Sequence, residues 1–260
     1  MASSRVALLL CVLLPLFTSS SSFTLATSYE KVKLDLYYET LCPSCSIFMT
    51  KYLVKIFENG LIDIIDLHLV PYGNAKLVKH GDNTAIICQH DEPECKLNIA
   101  HACAIYARPD VNKHFEFLHC IEDLVVKNKY EMPEWESCFG KTVGIDRKIV
   151  MDCYHGPKGL ELALKYANET NSLKPPHEYV PWVVVDGEPL REHFDEFMTY
   201  VCNAYKGSHL PKACENHLNR QVVSNVKENK VCNVASNTFS RAKMPQVSKW
   251  THQMKMPTKH

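Results

Sequence analysis

Cys42-Pro43-Ser44-Cys45 places two thiols three residues apart at the point where an alternating apolar run gives way to a helical pattern. A thiolate so placed can open a partner's disulfide, and its neighbour can then release it by closing an internal one. The run from Val32 to Tyr38 sets Val32, Leu34, Leu36 and Tyr38 on one side and reads as a strand. From Ser46 to Glu58, Ile47, Phe48, Leu53, Val54 and Phe57 recur at helical spacing. Pro43 falls in the first turn, where its missing N–H costs nothing. Cys42 becomes the cap, and the unpartnered N–H groups and dipole of the helix end favour its thiolate. Cys45 lies one turn along, with Cβ atoms roughly 5–6 Å apart at this spacing. A CxxC also serves structural disulfides and zinc sites, but the strand-to-helix context favours redox chemistry.

The compartment is legible at the N-terminus. Arg5 followed by the apolar stretch Val6 to Phe17, then small residues to about position 27, reads as a secretory signal peptide that takes Cys11 with it. No later run has the roughly 18 apolar residues that a spanning helix needs, so no transmembrane segment is expected in the mature chain. Export permits disulfides, and Asn168-Glu169-Thr170 is a glycosylation sequon. Basic and acidic side chains balance at 29 each, which gives no electrostatic case for nucleic acid as a partner. The thirteen histidines would turn the net charge positive in an acidic organelle.

Residues 28–214 carry enough hydrophobic periodicity for one domain, and residues 215–260 read as a basic, mostly disordered tail. Within the domain, Leu61 to Val70 is a buried strand that completes a βαβ unit with a parallel pair. Pro71-Tyr72-Gly73-Asn74 then turns the chain away. From about 84 to 171 no comparable strand signal occurs. Asn98–Tyr106, Val111–Val126, Asp146–Met151 and Gly159–Asn168 look helical, a helical insertion that holds Cys88, Cys95, Cys103, Cys120, Cys138 and Cys153. The sheet resumes at Val180-Pro181-Trp182-Val183-Val184-Val185, and Asp186-Gly187 before Glu188 signals a hairpin. Pro181 admits two arrangements: trans at a strand start, or cis, with its loop against Cys42 and the Val180 backbone open to pair with a substrate. Arg191 to Tyr205 is the last helix expected to pack on the sheet, with Phe194, Phe197, Met198, Val201 and Tyr205 on one stripe.

Two separated motifs give the chain a specific likeness. Cys42-Pro43-Ser44-Cys45 resembles the active-site CxxC of the gamma-interferon-inducible lysosomal thiol reductase (GILT) family. Cys88-Gln89-His90-Asp91, then Glu94-Cys95, Asn98 and Cys103, matches that family's signature of CQHG, two residues, EC, two residues, N, four residues and C. Asp91 stands where the signature has glycine, and aspartate tolerates the left-handed backbone that glycine often serves. The resemblance implies an α/β, thioredoxin-like fold with a helical insertion, and reduction of protein disulfides in an acidic endosomal or lysosomal lumen. It carries Cys42 and Cys45 over as the catalytic pair and Pro181 as the proline facing them. Cys88, Gln89, His90, Glu94, Cys95, Asn98 and Cys103 are assigned a structural role.

In the mechanism this implies, Cys42 attacks a disulfide-containing protein substrate and Cys45 resolves the mixed disulfide. A small thiol, cysteine or glutathione, restores the pair, and no bound cofactor or metal is required. Twelve cysteines less Cys11 and the active pair leave nine. With Cys232 as the spare, eight remain for up to four bridges of unspecified connectivity, and Cys232 either links two chains or leaves with the tail. An oxidase or isomerase differs only in reduction potential. A secreted, disulfide-stabilised binding protein with an inert CxxC is the alternative from another class. A zinc site using Cys42, Cys45, His101 and Cys103 fits an export route poorly. The final address, lysosome, vacuole or cell exterior, stays open.

Overall fold

β1 (Val32–Tyr38) carries branched and aromatic side chains that are buried on both faces of the strand, and Asp35 is buried among them. The four residues placed on one side, Val32, Leu34, Leu36 and Tyr38, are all buried, and Asp35 and Tyr37 are buried on the other. β1 is an inner strand, flanked by β2 (Ile65–Pro71) in parallel and by β6 (Trp182–Val185) antiparallel. In the computed structural model, which describes residues 30–80, 83–218 and 231–234, the main sheet has the order β2-β1-β6-β7, the last being Glu188–Pro189. The leader and most of the tail lie outside the described residues.

The β1-to-β2 crossover is one helical run with a change of winding. α1 (Pro43–Ile47) passes into a π-helical segment, Phe48–Leu53, and then α2 (Lys55–Glu58). Phe48 points into the core, 5.8 Å from the Phe194 ring and 5.4 Å from that of Phe197. Ile47, expected on the same buried stripe, is exposed. Residues Leu61–Ile64, expected as the start of the second strand, form a 3₁₀ turn after Gly60 instead.

After β2 the chain makes a hairpin, β3 (Lys76–His80) with β4 (Asn83–Ile87). β4 corrects the reading of everything after Thr84 as helical: Thr84, Ile86 and Ile87 are good strand residues, but the run was too short to stand out. The insertion then follows in α3 (Asp91–Ala107), α4 (Val111–Val126), α5 (Arg147–His155) and α6 (Pro157–Asn171). Asp110 and Asp146 cap α4 and α5 by accepting hydrogen bonds from backbone N–H groups of their first turns. The sequon residue Asn168 is exposed on α6, whereas Thr170 is buried.

β5 (Tyr179–Val180) precedes β6, and Asp186-Gly187 turns the chain into β7 (Glu188–Pro189) with positive φ at both residues. A 3₁₀ turn, Arg191–Glu196, leads into α7 (Phe197–Ala204), and α8 (Lys212–Leu218) follows. Phe194, Phe197, Met198 and Val201 are buried against the sheet side. The eight cysteines left after the spare form four bridges: Cys88–Cys95, Cys103–Cys153, Cys120–Cys138 and Cys202–Cys214.

The remaining strand is the least expected. β8 (Cys232–Asn233), within the tail read as disordered, pairs antiparallel with β5. Cys232 forms a disulfide with Cys42 of the same chain, not with a second chain. Among the described residues, Cys45 is the one free cysteine.

Candidate active site

β1 delivers Glu39, Thr40 and Cys42 to the start of α1. Cys42 is the N-cap residue with extended backbone, and Pro43 opens the helix, as expected of proline at that position. No side-chain cap bond is made by Cys42. Its sulfur is joined to Cys232 instead of resting on the helix N–H groups, and the residue is fully buried in this state. In the bridged form Cys42 is therefore neither a thiolate nor reachable from solvent. The atom bonded over it belongs to the tail.

The Val180–Pro181 peptide bond is cis. Its loop lies against the pair: Cys42 Sγ sits 3.8 Å from the Val180 carbonyl oxygen. This is a contact, since a disulfide sulfur has no proton to donate. Val180 is paired in register with Cys232, and Tyr179 with Asn233. The Val234 N–H donates to the Glu178 carbonyl at 3.1 Å, which extends the pairing by a residue.

Cys45 is fully buried one turn into the helix, and burial pushes its thiol well above the usual range, with Glu39 adding to the effect. Three carboxyl groups stand behind it. Glu39 is pushed up to about 9, chiefly by burial and then by neighbouring Glu94. Glu122, on α4, is pushed up to about 8 by burial, opposed by the hydrogen bond that the Ser46 hydroxyl donates to it at 2.5 Å. Glu94 is raised by burial, with His90 working in the other direction. His101 is lowered to about 3 by burial, so it is a neutral ring, 2.9 Å from the Tyr38 hydroxyl through Nδ1. The Thr40 and Cys42 carbonyls, 3.3 and 3.4 Å from the Ser46 oxygen, are alternative acceptors for the same single proton. The insertion thus pins the turn that presents Cys42.

The Cys88 motif packs around the turn that carries Cys42. The Cys88–Cys95 bridge closes the first turns of α3. Asp91 stands at φ 64°, the left-handed conformation that its glycine counterpart would take. Asn98 accepts a hydrogen bond from the Thr40 N–H at 3.0 Å, and Glu94 accepts one from the Gln89 N–H at 3.1 Å while its other oxygen meets His90. Gln89 reaches outward: its Nε2 donates to the Asn233 carbonyl at 3.1 Å, and its Oε1 accepts from Asn74 Nδ2 at 2.7 Å. Asn74 Nδ2 also donates to the Cys232 carbonyl at 3.1 Å.

Asn74, Glu39, Ser46 and Glu122 were not singled out from sequence. Glu122 carries a signal that could have found it, since it sits four residues after Leu118 on the apolar stripe of α4, where a charge is out of place. Among the described residues one liganding geometry is also present: a Glu39 carboxyl oxygen, a His90 ring nitrogen and Cys232 Sγ lie within 4.8 Å of one another. The sulfur is already in a disulfide and is not a free thiolate ligand. His101 and Cys103, considered with the CxxC for zinc, are otherwise engaged: His101 meets Tyr38, and Cys103 is bridged to Cys153.

A β1-helix-β2 parallel unit with a CxxC at the helix start, an antiparallel return strand and a cis-proline loop against the cysteine define a thioredoxin-like protein with a helical insertion, of the thiol–disulfide oxidoreductase class. The chain belongs to the gamma-interferon-inducible lysosomal thiol reductase family. The family model, described as "Gamma interferon inducible lysosomal thiol reductase (GILT)", matches residues 33–142. "Gamma-interferon-responsive lysosomal thiol protein" of Arabidopsis thaliana is 45% identical over 208 residues, covering 78% of this chain and 83% of that one. "Gamma-interferon-inducible lysosomal thiol reductase" of Mus musculus is 34% identical over 192 residues, covering 70% and 71%. Among solved structures, DsbA of Chlamydia trachomatis overlays with a TM-score of 0.49 at 16% identity, covering 68% of this chain and 87% of that chain.

Proposed function

We propose that this chain reduces protein disulfides in an acidic lumen reached through the secretory pathway, lysosomal or vacuolar, with Cys42 as attacking thiolate and Cys45 as resolving thiol. The observation that carries the reading is Cys42 Sγ bonded to a cysteine of an extended strand that pairs with the cis-proline loop. That is the arrangement of a mixed disulfide between a thiol reductase and a polypeptide. The lysosomal names of the relatives support the address, and no helix among the described residues is long and apolar enough to cross a membrane.

The Cys42 thiolate attacks one sulfur of a substrate disulfide, and the other sulfur leaves as a thiolate and takes up a proton. Cys45 then loses its proton and attacks Cys42 Sγ, which frees the second substrate sulfur and leaves Cys42 and Cys45 joined. Two equivalents of a small thiol such as cysteine or glutathione reduce that bond and depart as their disulfide. Burial of Cys45 divides the labour, because a thiol raised well above its usual range does not compete for incoming disulfides.

An acidic lumen opposes thiolate formation, so the helix end must favour charge on Cys42 once it is released. The buried carboxyls suit the same condition. With Glu39 and Glu122 pushed up to about 9 and about 8, both are neutral in acid and place no negative charge beside the pair. Cys42→Ser is expected to abolish glutathione-driven reduction of a disulfide reporter at acidic pH, and undiminished turnover would remove Cys42 from the mechanism. Cys45→Ser is expected to accumulate mixed disulfides on non-reducing gels.

A further inference from the structure

The strand bonded to Cys42 is part of the protein itself. It is held from two sides, by the β5 backbone at Glu178, Tyr179 and Val180, and across from it by the side chains of Asn74 and Gln89. Both side chains donate to main-chain carbonyls of the strand, Asn74 to that of Cys232 and Gln89 to that of Asn233. The two amides are also bonded to each other, so each holds the other's orientation. Main-chain hydrogen bonds of this kind supply affinity for an extended backbone, here with a cysteine at the position that meets Cys42.

We propose that Val231–Val234 is a tethered substrate that closes the active site as an intramolecular mixed disulfide, and that Asn74 and Gln89 form the backbone clamp for the extended, cysteine-bearing strand of a polypeptide substrate. The proposal rests on the catalytic reading of Cys42 and extends it to latency and to substrate class. It assigns a working role to a glutamine of the Cys88 motif and to an asparagine in the turn after β2.

The chemistry needs no outside oxidant. Cys45 thiolate attacks Cys42 Sγ, the Cys42–Cys232 bond breaks, and the Cys232 thiolate takes up the proton that Cys45 lost. The product is a Cys42–Cys45 disulfide and a free Cys232, with the same number of electrons as before. The reverse reaction closes the site again. Two equivalents of a small thiol open it fully, leaving Cys42 and Cys232 as thiols and the small thiol as its disulfide. The tethered cysteine competes at high effective concentration, so a free substrate engages only after the segment has been displaced.

The test uses the full chain, its Cys232→Ser and Cys42→Ser variants, and a fluorescence-quenched peptide homodimer joined by a cystine, with glutathione as reductant. Non-reducing peptide mapping of the wild type is expected to recover the Cys42–Cys232 pair, and its progress curve to show a lag that prior treatment with dithiothreitol removes. Cys232→Ser is expected to start without the lag. A synthetic peptide spanning residues 229–235, with serine at the cysteine position, is expected to inhibit Cys232→Ser competitively. Gln89→Ala in the Cys232→Ser background is expected to weaken that inhibition about tenfold, the size of a lost hydrogen bond or two, with its circular dichroism melt confirming the fold. Absence of both the lag and the bridged peptide, with Cys42→Ser inactive, overturns the tethered substrate and leaves the catalytic reading standing. Equal inhibition with Gln89→Ala overturns the clamp. An active Cys42→Ser overturns the catalytic reading itself.

Discussion

Glu122→Gln isolates the cost of keeping a carboxyl group behind the active-site turn. Glu122 is fully buried, and its pKa of about 8 stands against an ordinary value of 4.5. A folded-state pKa above the unfolded one means that the folded protein binds the extra proton. The linked stability is present at low pH and is lost as pH rises from the unfolded value through the folded one. His101, lowered from 6.5 to about 3, has the opposite sign and acts only below 6.5, so the clean window lies above it. Between pH 6.5 and 8 one such proton is worth about 2 kcal/mol, and Glu39, pushed up to about 9, contributes a second proton over the same range. The glutamine keeps an acceptor for the Ser46 hydroxyl and does not titrate. Urea unfolding at several pH values, in a Cys45→Ser background so that no free thiol can reshuffle the bridges, should show the wild-type stability falling about 2 kcal/mol more steeply across that window than the variant's. Parallel curves would refute the assignment of a neutral, proton-holding Glu122.

Two other perturbations follow from the same packing. Gly73 has φ +61° and a Cβ there would meet the Glu39 carboxylate at 2.4 Å and its Cβ at 2.5 Å, so Gly73→Ala should cost at least about 1–2 kcal/mol from backbone strain alone and displace Glu39, read as a lower melting temperature together with slower reduction. Removing the Cys103–Cys153 bridge, which spans 50 residues of the insertion, should destabilise by about 4 kcal/mol on the chain-entropy account, measured by denaturant unfolding of the double serine variant, with the loss concentrated in α3 and α5 by hydrogen exchange.

What the sequence makes legible follows the range of the interactions. β1, the helix that starts after Cys42 and the Asp186-Gly187 hairpin rest on local pattern, and each forms about where its spacing places it. Asp91 in a left-handed turn is equally local, since the demand for glycine or aspartate comes from one residue's backbone. β4 and the 3₁₀ turn at Leu61–Ile64 were missed because a short run of branched residues fits more than one element, and tertiary pairing decides between them. The buried carboxyl groups stayed hidden for a deeper reason. Glu39 and Glu94 are 55 positions apart and Glu122 a further 28, and nothing in local pattern says that a β-strand end and two helices will converge on one thiol.

Cys232 is the extreme case, at 190 residues from its partner. Cysteine counting identifies it as the odd one, and composition of the surrounding tail argues for disorder, so each local rule points away from the active site. Only the fold brings together the features that give residues 231–234 a place: an unpaired strand edge at β5, a cysteine beneath it, and two amides opposite. These contacts fall on the strand's backbone and on one sulfur, which is how a stretch with little hydrophobic pattern of its own acquires a defined register here. On the proposed function, reliance on backbone contacts is what lets one cleft accept disulfides from polypeptides of different sequence, since a cleft that demanded a particular side-chain pattern would reject most of them.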